Sequence, residues 1–356
     1  MDKLRLVLLK ILLSPFSLLY GVLVWIRLQL YKLGFLKSVR FDLPVISVGN
    51  LTVGGTGKSP HIEYLMALLQ PYLVLGTLSR GYKRRTSGFK VVQLDHTTYD
   101  VGDEPLQFKH NFPESLVAVS ENRVHGIPQM IMQRPDLQCV LLDDAFQHVA
   151  LTPALNILLT DYSDPFYEDY LLPSGRLREW RVGYKRADFV VVTKCPEVLS
   201  TAEMAAITAK IKPQIGQKVF FSHFEYQTPY HLFQQSTTNL SADMQVILVS
   251  GIAKNEYLLK YLRSKVKHVV ELEYPDHYQF DEKDIDAISR NWQESDEQRT
   301  IILTTQKDAM RLQQFESKIQ QENLPFYVLP IKVAFPANQT NDFDNSIKQF
   351  LLDFKV

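Results

Sequence analysis

The chain has 356 residues, with 39 acidic and 39 basic side chains, so its formal net charge is zero at pH 7. This balance gives no global positive field, and we expect no nucleic-acid partner. The length and the 46% of hydrophobic residues are sufficient for two domains, or for one large α/β domain with an attached lobe. Cys139 and Cys195 both adjoin apolar runs and are predicted to be buried free thiols in a reducing compartment.

The N-terminal region differs from the rest of the chain. Sixteen residues without a charge, 11–26, are flanked on both sides by basic residues. As a helix at about 1.5 Å per residue this run reaches roughly 24 Å, short of a hydrocarbon core of about 30 Å. A buried helix is one alternative; a cleaved signal peptide is disfavoured because no small-residue cleavage site follows the run. We favour a membrane anchor at residues 1–40 that dips into or crosses the inner leaflet, with Trp25 and Tyr31 near the interface.

The next segment, 44–60 (PVISVGNLTVGGTGKSP), has the pattern of a phosphate-binding loop. An apolar strand at 44–48 leads into a glycine-rich loop, and a helix is predicted from Pro60. In such a loop the backbone N–H groups point at phosphate oxygens. Lys58 is then placed to contact the β- and γ-phosphates, and the Ser59 hydroxyl to ligate Mg²⁺.

This loop departs from the usual pattern at its first position. The pattern G-x-x-x-x-G-K-S begins with glycine, and this chain has Thr52 there. Gly54 and Gly55 lie inside the loop instead, so flexibility is kept at a shifted position. A glycine-rich turn without function is the alternative, but the lysine–serine pair at the predicted helix start favours a nucleotide site.

Charged residues follow the next predicted elements, a helix at 61–70 and a strand at 72–78. The basic turn SRGYKRR lies at the carboxyl end of that strand, where ligands bind in doubly wound sheets. Arg80 is therefore a candidate phosphate contact, although such clusters are usually solvated. Downstream, DVGDEP places Asp103 and Glu104 in a loop before a helix, where N-terminal capping is the ordinary explanation.

The run CVLLDDAFQH (139–148) predicts an apolar strand that ends in two aspartates. An aspartate at such a position holds Mg²⁺, directly or through water, in nucleoside triphosphatases. Asp143 and Asp144 are therefore candidate metal ligands. A simple strand terminus is the alternative, and the phosphate loop upstream weighs against it.

Two more segments farther along the chain carry residue types suited to ligand binding or catalysis. Predicted strands at 156–160 and 189–193 flank LLPSGRLREWRVGYKR (171–186), which carries five basic residues and one acidic residue. This composition suits a membrane interface or an anionic substrate, and equally an exposed, salt-bridged helix. A second strand–helix series begins at 246–249. Within it, His277 lies beside a proline-set turn, where a lone histidine is more often structural than catalytic.

Taken together, ten segments resemble the tetraacyldisaccharide 4′-kinases, the lipid A kinases of Gram-negative bacteria. In order they are VGNLTVGGTGKSP, SRGYKRR, VGDEP, ENR, LLDDAFQH, LLPSGRLRE, ADFVVVTK, SGIA, PDHYQF and TTQKDAMRL. The resemblance extends over almost the whole chain. It implies an α/β fold, with a doubly wound and mostly parallel sheet of the P-loop NTPase type. It further implies an anchor helix at 1–40, a kinase core at 41–220 and a smaller C-terminal α/β lobe at 221–356 that contributes to the active site.

The resemblance also implies the reaction. The γ-phosphoryl group of ATP is transferred, with Mg²⁺, to the 4′-hydroxyl of a tetraacyldisaccharide 1-phosphate to give lipid IVA. This is expected on the cytoplasmic face of the bacterial inner membrane. The implied acid–base pair is Asp103 and His277, with Lys58 as a third catalytic residue. Because Asp103 belongs to the core and His277 to the lobe, we expect closure to complete the pair.

The remaining implied site residues follow by motif. ATP binding is assigned to Thr52, Val53, Gly54, Gly55, Thr56, Gly57, Lys58 and Ser59. Metal binding is assigned to Ser59, Glu104, Asp143, Asp144 and Gln147, and substrate binding to Arg80, Arg123, Arg176 and Arg178. Four positions differ from the family's usual residue: Ser59 for threonine, Ala145 for glycine, Arg176 for proline and Gln306 for glutamate.

Two other functional classes share part of this pattern. A membrane-associated P-loop GTPase or ATPase of the metallochaperone or switch type has the loop and the aspartate-ended strand, but needs neither the apolar N-terminus nor the arginine–tryptophan segment. A scaffold with a dead nucleotide site would lack Lys58 or Ser59, and both are present. Sequence leaves open which of Asp143 and Asp144 ligates the metal, and whether the N-terminal helix spans the membrane or lies in it.

Overall fold

The computed structural model describes residues 3–355, which form two parallel sheets, the helices that cover them and a long N-terminal helix. Met1, Asp2 and Val356, at the outer limits of the predicted anchor and lobe, lie outside the described residues. The strands are β1 (Val45–Asn50), β2 (Leu75–Ser79), β3 (Lys90–Val91), β4 (Leu116–Val119), β5 (Cys139–Asp143), β6 (Leu155–Asp161), β7 (Phe189–Thr193), β8 (Lys218–Phe221), β9 (His223–Tyr226), β10 (Tyr230–His231), β11 (Gln245–Ser250), β12 (His268–Glu273), β13 (Thr300–Thr305), β14 (Phe326–Leu329) and β15 (Ile331–Ala334). The α-helices are α1 (Lys3–Lys32), α2 (Lys58–Leu69), α3 (Thr98–Val101), α4 (Asp103–Asn111), α5 (Arg123–Gln133), α6 (Thr201–Ile211), α7 (Glu256–Arg263), α8 (Glu282–Gln293), α9 (Gln306–Leu312), α10 (Glu316–Gln321) and α11 (Ala337–Asp353). Short 3₁₀ helices lie at Phe166–Glu168, Arg181–Arg186 and Gln313–Phe315.

The larger sheet has the strand order β3-β4-β2-β5-β1-β6-β7-β8 and is parallel except for β3. All six residues of β1 are buried, as expected for a strand with both faces covered. Because β1 lies between β5 and β6, its carboxyl end emerges in the middle of the sheet edge and leads directly into the glycine-rich loop. The predicted strand 189–193 coincides with β7, and the predicted strand 156–160 lies within β6.

The smaller sheet has the order β10-β14-β13-β11-β12 and is parallel except for β10. Strands β9 and β15 pair with each other in an antiparallel ribbon between the two sheets. The doubly wound, mostly parallel α/β fold with a smaller C-terminal α/β lobe is thus confirmed. The predicted domain boundaries stay predictions, and the last helix, α11, returns to the larger sheet, where Phe343 stacks on Phe335 and meets Phe220 edge to face.

Two local predictions were wrong. Helix α2 begins at Lys58 rather than Pro60, because Gly57 takes a left-handed conformation (φ 84°) that ends the loop earlier. Asp103 and Glu104 are not in a loop but form the first turn of α4. Helix α1 continues through Pro15, which lacks the N–H that would bond the Ile11 carbonyl. The Ser14 hydroxyl donates to that carbonyl instead, at 2.8 Å.

The packing of α11 on the larger sheet is testable by truncating Phe343, which is 2% exposed and lies in the same core cluster as Phe189 and Phe220. We expect Phe343→Ala to destabilise the protein by about 3–5 kcal/mol, because the residual cavity adds to the lost transfer energy. The measurement is the urea midpoint of unfolding followed by tryptophan fluorescence. Leu352→Ala, at an 80% exposed position of the same helix, is the control and should leave the midpoint unchanged. Equal midpoints for the two variants would contradict this packing.

Candidate active site

A cleft of about 700 Å³ lies between the carboxyl ends of the parallel strands of the two sheets. The loops after β1, β2, β5 and β7 form one wall, and the loops after β11, β12 and β13 form the other. Such strand ends are where ligands bind in open α/β sheets. The predicted site residues that line the cleft are Val53, Gly54, Gly55, Thr56, Gly57, Lys58, Ser59, Arg80, Glu104, Arg123, Asp143, Asp144, Gln147, Arg178 and His277.

The phosphate loop has the geometry that its glycines predict. Gly54 and Gly57 have φ values of 106° and 84°, a region that side chains disfavour. A Cβ on Gly57 would lie 2.7 Å from the Phe224 ring. Thr52 forms an isolated antiparallel bridge with Leu177, which requires extended backbone rather than glycine. The loop therefore tolerates threonine at its first position, and the free N–H groups at the start of α2 face the cleft as an anion site.

Charges around the loop are paired with each other. The Lys58 ammonium lies 3.4 Å from the Asn50 amide oxygen and 3.7 Å from the Asp144 carboxylate. Arg178 makes a two-pronged contact with Asp144, at 3.0 and 3.2 Å. Burial raises the pKa of Asp144, but the charges of Lys58 and Arg178 outweigh it and bring that pKa to about 2. Asp144 is therefore ionised and engaged by two cations.

Asp143 differs from its neighbour. Its carboxylate is 2% exposed, and Oδ1 has no hydrogen-bond partner within residues 3–355. Burial, followed by the charges of Glu104 and Asp144, raises the pKa of Asp143 to about 7. The Ser59 hydroxyl donates to Glu104 at 3.0 Å. An unsatisfied carboxylate oxygen, a second carboxylate and a hydroxyl are the all-oxygen donor set that Mg²⁺ prefers.

Mg²⁺ usually combines one or two protein carboxylates with water and substrate phosphates. The described part of the chain contains no group of three or more His, Cys, Asp or Glu side chains arranged to hold a metal alone. Gln147, the remaining predicted ligand, donates from Nε2 to the Asn50 carbonyl at 2.9 Å and to Glu179 at 3.0 Å. Its Oε1 has no partner among the described residues.

The structure brings Asp103 and His277 together across the cleft, with 2.8 Å between Asp103 Oδ2 and His277 Nδ1. Burial raises the pKa of Asp103, but the His277 hydrogen bond and the charges of Lys307 and Arg311 hold it well below its ordinary value. The ionised carboxylate can only accept, so Nδ1 carries the proton. In the neutral ring, Nε2 is then the atom with a free lone pair.

Two residues that sequence reasoning missed hold this pair in place. Arg311 is 1% exposed and contacts Asp308 at 2.9 Å and Asp103 at 3.7 Å. It also donates to the Tyr278 carbonyl at 2.8 Å, directly after His277. Asp308 accepts from the Gly251 N–H at 3.1 Å. The available signal was the spacing of three residues between Asp308 and Arg311 on one helix, within TTQKDAMRL.

Backbone strain is concentrated at the cleft. Six described non-glycine residues have positive φ, and three of them, Asp144, Lys194 and His277, line the cleft. Left-handed conformations cost energy for such residues and persist where the surrounding structure enforces them, often at functional sites. The charged side chains of this site are therefore presented from backbone that the fold holds in unfavourable conformations.

Lysine side chains on both walls of the cleft form further ion pairs with carboxylates. Lys194, 8% exposed, pairs with Asp161 at 3.0 Å. Lys254 extends from the smaller lobe to Asp164, and Lys307 from the same lobe to Glu104. Two of these ion pairs, Lys254–Asp164 and Lys307–Glu104, join the two walls of the cleft.

The predicted arginines occupy different environments. Arg80 is exposed on the cleft wall, whereas Arg123 is 4% exposed and donates to the Asp143 carbonyl at 3.2 Å. Arg176 is not among the residues that line the cleft. Its guanidinium pairs with Asp164 at 2.9 Å and with Asp169 at 3.1 Å.

Comparison with known proteins gives a consistent result. The family profile for LpxK, tetraacyldisaccharide-1-P 4′-kinase, matches residues 9–351. The chain is 42% identical to the tetraacyldisaccharide 4′-kinase of Flavobacterium johnsoniae, over 97% of this chain and 98% of that protein. It is 38% identical to that of Phocaeicola vulgatus, over 95% and 94% of the two chains. The chain belongs to the tetraacyldisaccharide 4′-kinase family.

A solved structure extends this likeness to the fold. The crystal structure of LpxK from Aquifex aeolicus in complex with ATP superimposes with a TM-score of 0.73 at 30% sequence identity. The match covers 96% of this chain and 99% of that one. This chain therefore has the architecture of that tetraacyldisaccharide 4′-kinase over nearly its full length.

The unsatisfied oxygen of Asp143 generates a prediction for this tetraacyldisaccharide 4′-kinase. Asp143→Asn keeps the shape and removes the charge, so the Mg²⁺ concentration that half-saturates MgATP binding should rise by at least about tenfold. Titration calorimetry at several Mg²⁺ concentrations measures this. Asp136→Asn, at a 66% exposed carboxylate, is the matched control. An unchanged Mg²⁺ requirement would exclude Asp143 as the ligand, and a larger shift in Asp144→Asn would move the assignment there.

Proposed function

We propose that this chain is an ATP-dependent kinase that phosphorylates the 4′-hydroxyl of a tetraacyldisaccharide 1-phosphate. The observation that carries the proposal is that one cleft contains both a phosphate loop and, on the facing lobe, a histidine hydrogen-bonded to a buried aspartate. A switch-type nucleotidase needs the first feature alone. Transfer to an alcohol needs both, because the attacking hydroxyl has to lose a proton.

Charge neutralisation is assigned to the residues around the loop. Lys58 and backbone N–H groups between Gly54 and Ser59 bind the triphosphate, whereas the Val53 N–H is already bonded to the Arg176 carbonyl. Ser59 and Asp143 would hold Mg²⁺, with Glu104 beside them. When bound, the ion supplies neutralisation of the charge that develops between the β- and γ-phosphates. Because Lys58 and Arg178 already face Asp144 in this structure, the nucleotide enters a site whose cations are in position.

Proton transfer is assigned to the aspartate–histidine pair. Asp103 orients the His277 ring through Nδ1, and Nε2 is free to accept the proton of the sugar hydroxyl. The two residues come from different lobes, so the pair exists only when the lobes are together. This arrangement delays chemistry until closure and protects ATP from attack by water.

Acceptor binding is assigned to arginines on the wall of the larger sheet. Arg80 and Arg178 line the cleft and offer planar guanidinium groups that match phosphate oxygens. The 1-phosphate of the acceptor and the transferred phosphoryl group are the anions available to them. Arg176, which is paired with two aspartates away from the cleft lining, contributes indirectly through the segment that carries Arg178.

The acceptor is a lipid, and α1 provides a matching surface. Residues 8–32 form a helix long and apolar enough to cross a membrane, with only 11% of its apolar window buried, which does not fit a core helix. Its middle nevertheless contacts the protein body, since Ser17 bonds to Leu171 and Ser174. A spanning helix would hold these residues near the bilayer centre, about 15 Å from either surface. We therefore propose that α1 lies in the cytoplasmic leaflet of the inner membrane, on the side where ATP is found.

A phosphoryl-transfer assay tests the proposed function. Purified protein, MgATP and tetraacyldisaccharide 1-phosphate in detergent should give product labelled at the 4′ position. Lys58→Ala should reduce this product by several powers of ten, because the ammonium stabilises charge in the transition state. Lys90→Ala, at a lysine outside the cleft lining, should remain active. Hydrolysis of ATP or GTP at full rate without lipid, and no labelled product, would favour the switch-type nucleotidase instead.

The assignment of the proton acceptor has its own test. Asp103→Ala and His277→Ala should each lose several powers of ten in kcat while the affinity for ATP stays near that of the wild type. The physical reason is that both residues act on the acceptor hydroxyl rather than on the nucleotide. Single-turnover transfer and equilibrium nucleotide binding separate the two effects. Normal turnover in either variant would remove that residue from the mechanism.

A further inference from the structure

Helix α1 has a docking face formed by Ser17, Tyr20 and Gly21, which share one side of the helix at spacings of three and four residues. All three contact residues 171–180, here called the strap. Ser17 donates to the Leu171 carbonyl at 3.1 Å and accepts from the Ser174 N–H at 3.0 Å. The Tyr20 hydroxyl donates to the Arg178 carbonyl at 2.7 Å. The anchor helix is thus hydrogen-bonded to the strap along several residues of each.

Close packing accompanies these hydrogen bonds at Gly21. The Trp180 indole N–H donates to the Gly21 carbonyl at 2.9 Å. A Cβ on Gly21 would lie 2.6 Å from both the Leu171 Cδ1 and the Trp180 Cζ2 atoms. Glycine in a helix interior is unfavourable in itself, and here it permits a contact that no other residue allows. The docking face therefore fits the strap in both hydrogen bonding and shape.

The strap in turn pairs with the phosphate loop. The Val53 N–H donates to the Arg176 carbonyl at 2.8 Å, and the Arg178 N–H donates to the Leu51 carbonyl at 2.7 Å. Between these bonds, Leu177 forms the bridge with Thr52. The strap is therefore joined to the first residues of the loop by an isolated antiparallel bridge and the two backbone hydrogen bonds that flank it.

Arg178 is where the two sets of contacts meet. Its carbonyl accepts from Tyr20, its N–H bonds the loop, and its guanidinium contacts Asp144 at 3.0 Å and the side chain of Asn50. The side of α1 away from the strap exposes large apolar groups, among them Leu8, Leu12, Leu19 and Leu23. A continuous series of contacts thus links the surface that meets lipid to a guanidinium in the cleft.

We propose that Tyr20 and Gly21 are positioning residues for the reaction, acting through the strap to hold Arg178 toward the phosphorylated acceptor. The inference rests on the proposed function for its substrate. In this arrangement α1 is part of the acceptor site as well as an anchor, and the docked helix fixes how far Arg178 lies from the membrane surface. A lipid acceptor that enters from the bilayer then binds the Arg178 guanidinium. The distance of this guanidinium from the membrane surface is set by α1.

The test uses the full-length protein in mixed micelles with two variants and two matched controls. Tyr20→Phe removes one hydroxyl, and Gly21→Leu separates the helix from the strap. Tyr31→Phe and Val22→Leu, the second at a 47% exposed position, make the same kinds of change on α1 outside the docking face. We expect kcat/KM for the lipid acceptor to fall about 5- to 10-fold in Tyr20→Phe and at least 100-fold in Gly21→Leu. The KM for ATP should change less than twofold in Tyr20→Phe, and both controls should match the wild type.

A double-mutant cycle distinguishes positioning from simple loss of stability. In an Arg178→Lys background, Tyr20→Phe should have little further effect, because its action passes through the guanidinium. Multiplicative effects of the two changes would overturn the proposal, as would wild-type kcat/KM in Tyr20→Phe. Since Gly21→Leu risks misfolding, Tyr20→Phe alone is decisive. Co-sedimentation with vesicles of anionic phospholipid should be equal for Tyr20→Phe and the wild type.

Hydrogen exchange provides a readout that does not depend on turnover. The Arg178 and Val53 amides, which join the strap to the loop, should exchange at least about fivefold faster in Tyr20→Phe than in Tyr31→Phe. Equal exchange in the two variants would contradict the positioning role. Absence of phosphoryl transfer by the wild type would instead contradict the proposed function, and the exchange result would still decide whether α1 positions the strap.

Discussion

The two-lobed site depends on the contacts that the buried guanidinium of Arg311 makes with both lobes. This guanidinium lies within ion-pair distance of Asp308 on its own helix and of Asp103 on the facing lobe, and it bonds the carbonyls of Gly251 and Tyr278. A buried charge is tolerated only when its hydrogen bonds are satisfied, and the planar donor fork of arginine satisfies four partners that a lysine ammonium would not. Arg311 thereby holds the Tyr278 carbonyl, directly after His277, and the Gly251 carbonyl that accepts from the His277 N–H. Its charge adds to the His277 hydrogen bond and the Lys307 charge that lower the pKa of Asp103.

Other charged side chains of the cleft are also paired with opposite charges before any nucleotide binds. Lys58 and Arg178 share Asp144, while Lys307 faces Glu104. Asp143 is the exception, with an unsatisfied oxygen and a pKa raised to about 7 by burial and neighbouring carboxylates. A cation at that oxygen would relieve the repulsion among the carboxylates, and a triphosphate would replace Asp144 as the partner of Lys58. The electrostatics therefore favour nucleotide and metal entering together over either one alone.

Sequence predicted the parts of this site that depend on short-range pattern. The apolar runs at Phe189–Thr193 and 156–160 indicate buried strands on their own, and the glycines before Lys58 indicate the loop. The pairing of Asp103 with His277 was expected only through resemblance, because 174 residues separate them and no local pattern encodes that contact. The role of Arg311 and the docking of Tyr20 on the strap went unpredicted for the same reason. The first turn of α4 was missed because Gly102, with φ 90° and ψ 159°, begins a helix in a conformation that sequence does not reveal.

The two lobes are joined by a short two-stranded ribbon. The chain crosses from the larger sheet at Ser222 and returns after β15, and the two crossing strands, β9 and β15, pair with each other. Any opening of the cleft therefore turns on this short ribbon, whose Phe224 packs against Gly57 of the phosphate loop. Apolar contacts resist such opening, because Met310 of the smaller lobe shares a core cluster with Ile62 and Leu65 of α2. The ion pairs at the cleft mouth are polar and more exposed, so water can replace them at low cost. The fold thus combines apolar contacts behind the site with polar contacts at its entrance that water can replace. A site that admits a lipid and a nucleotide and then excludes water needs both kinds of contact.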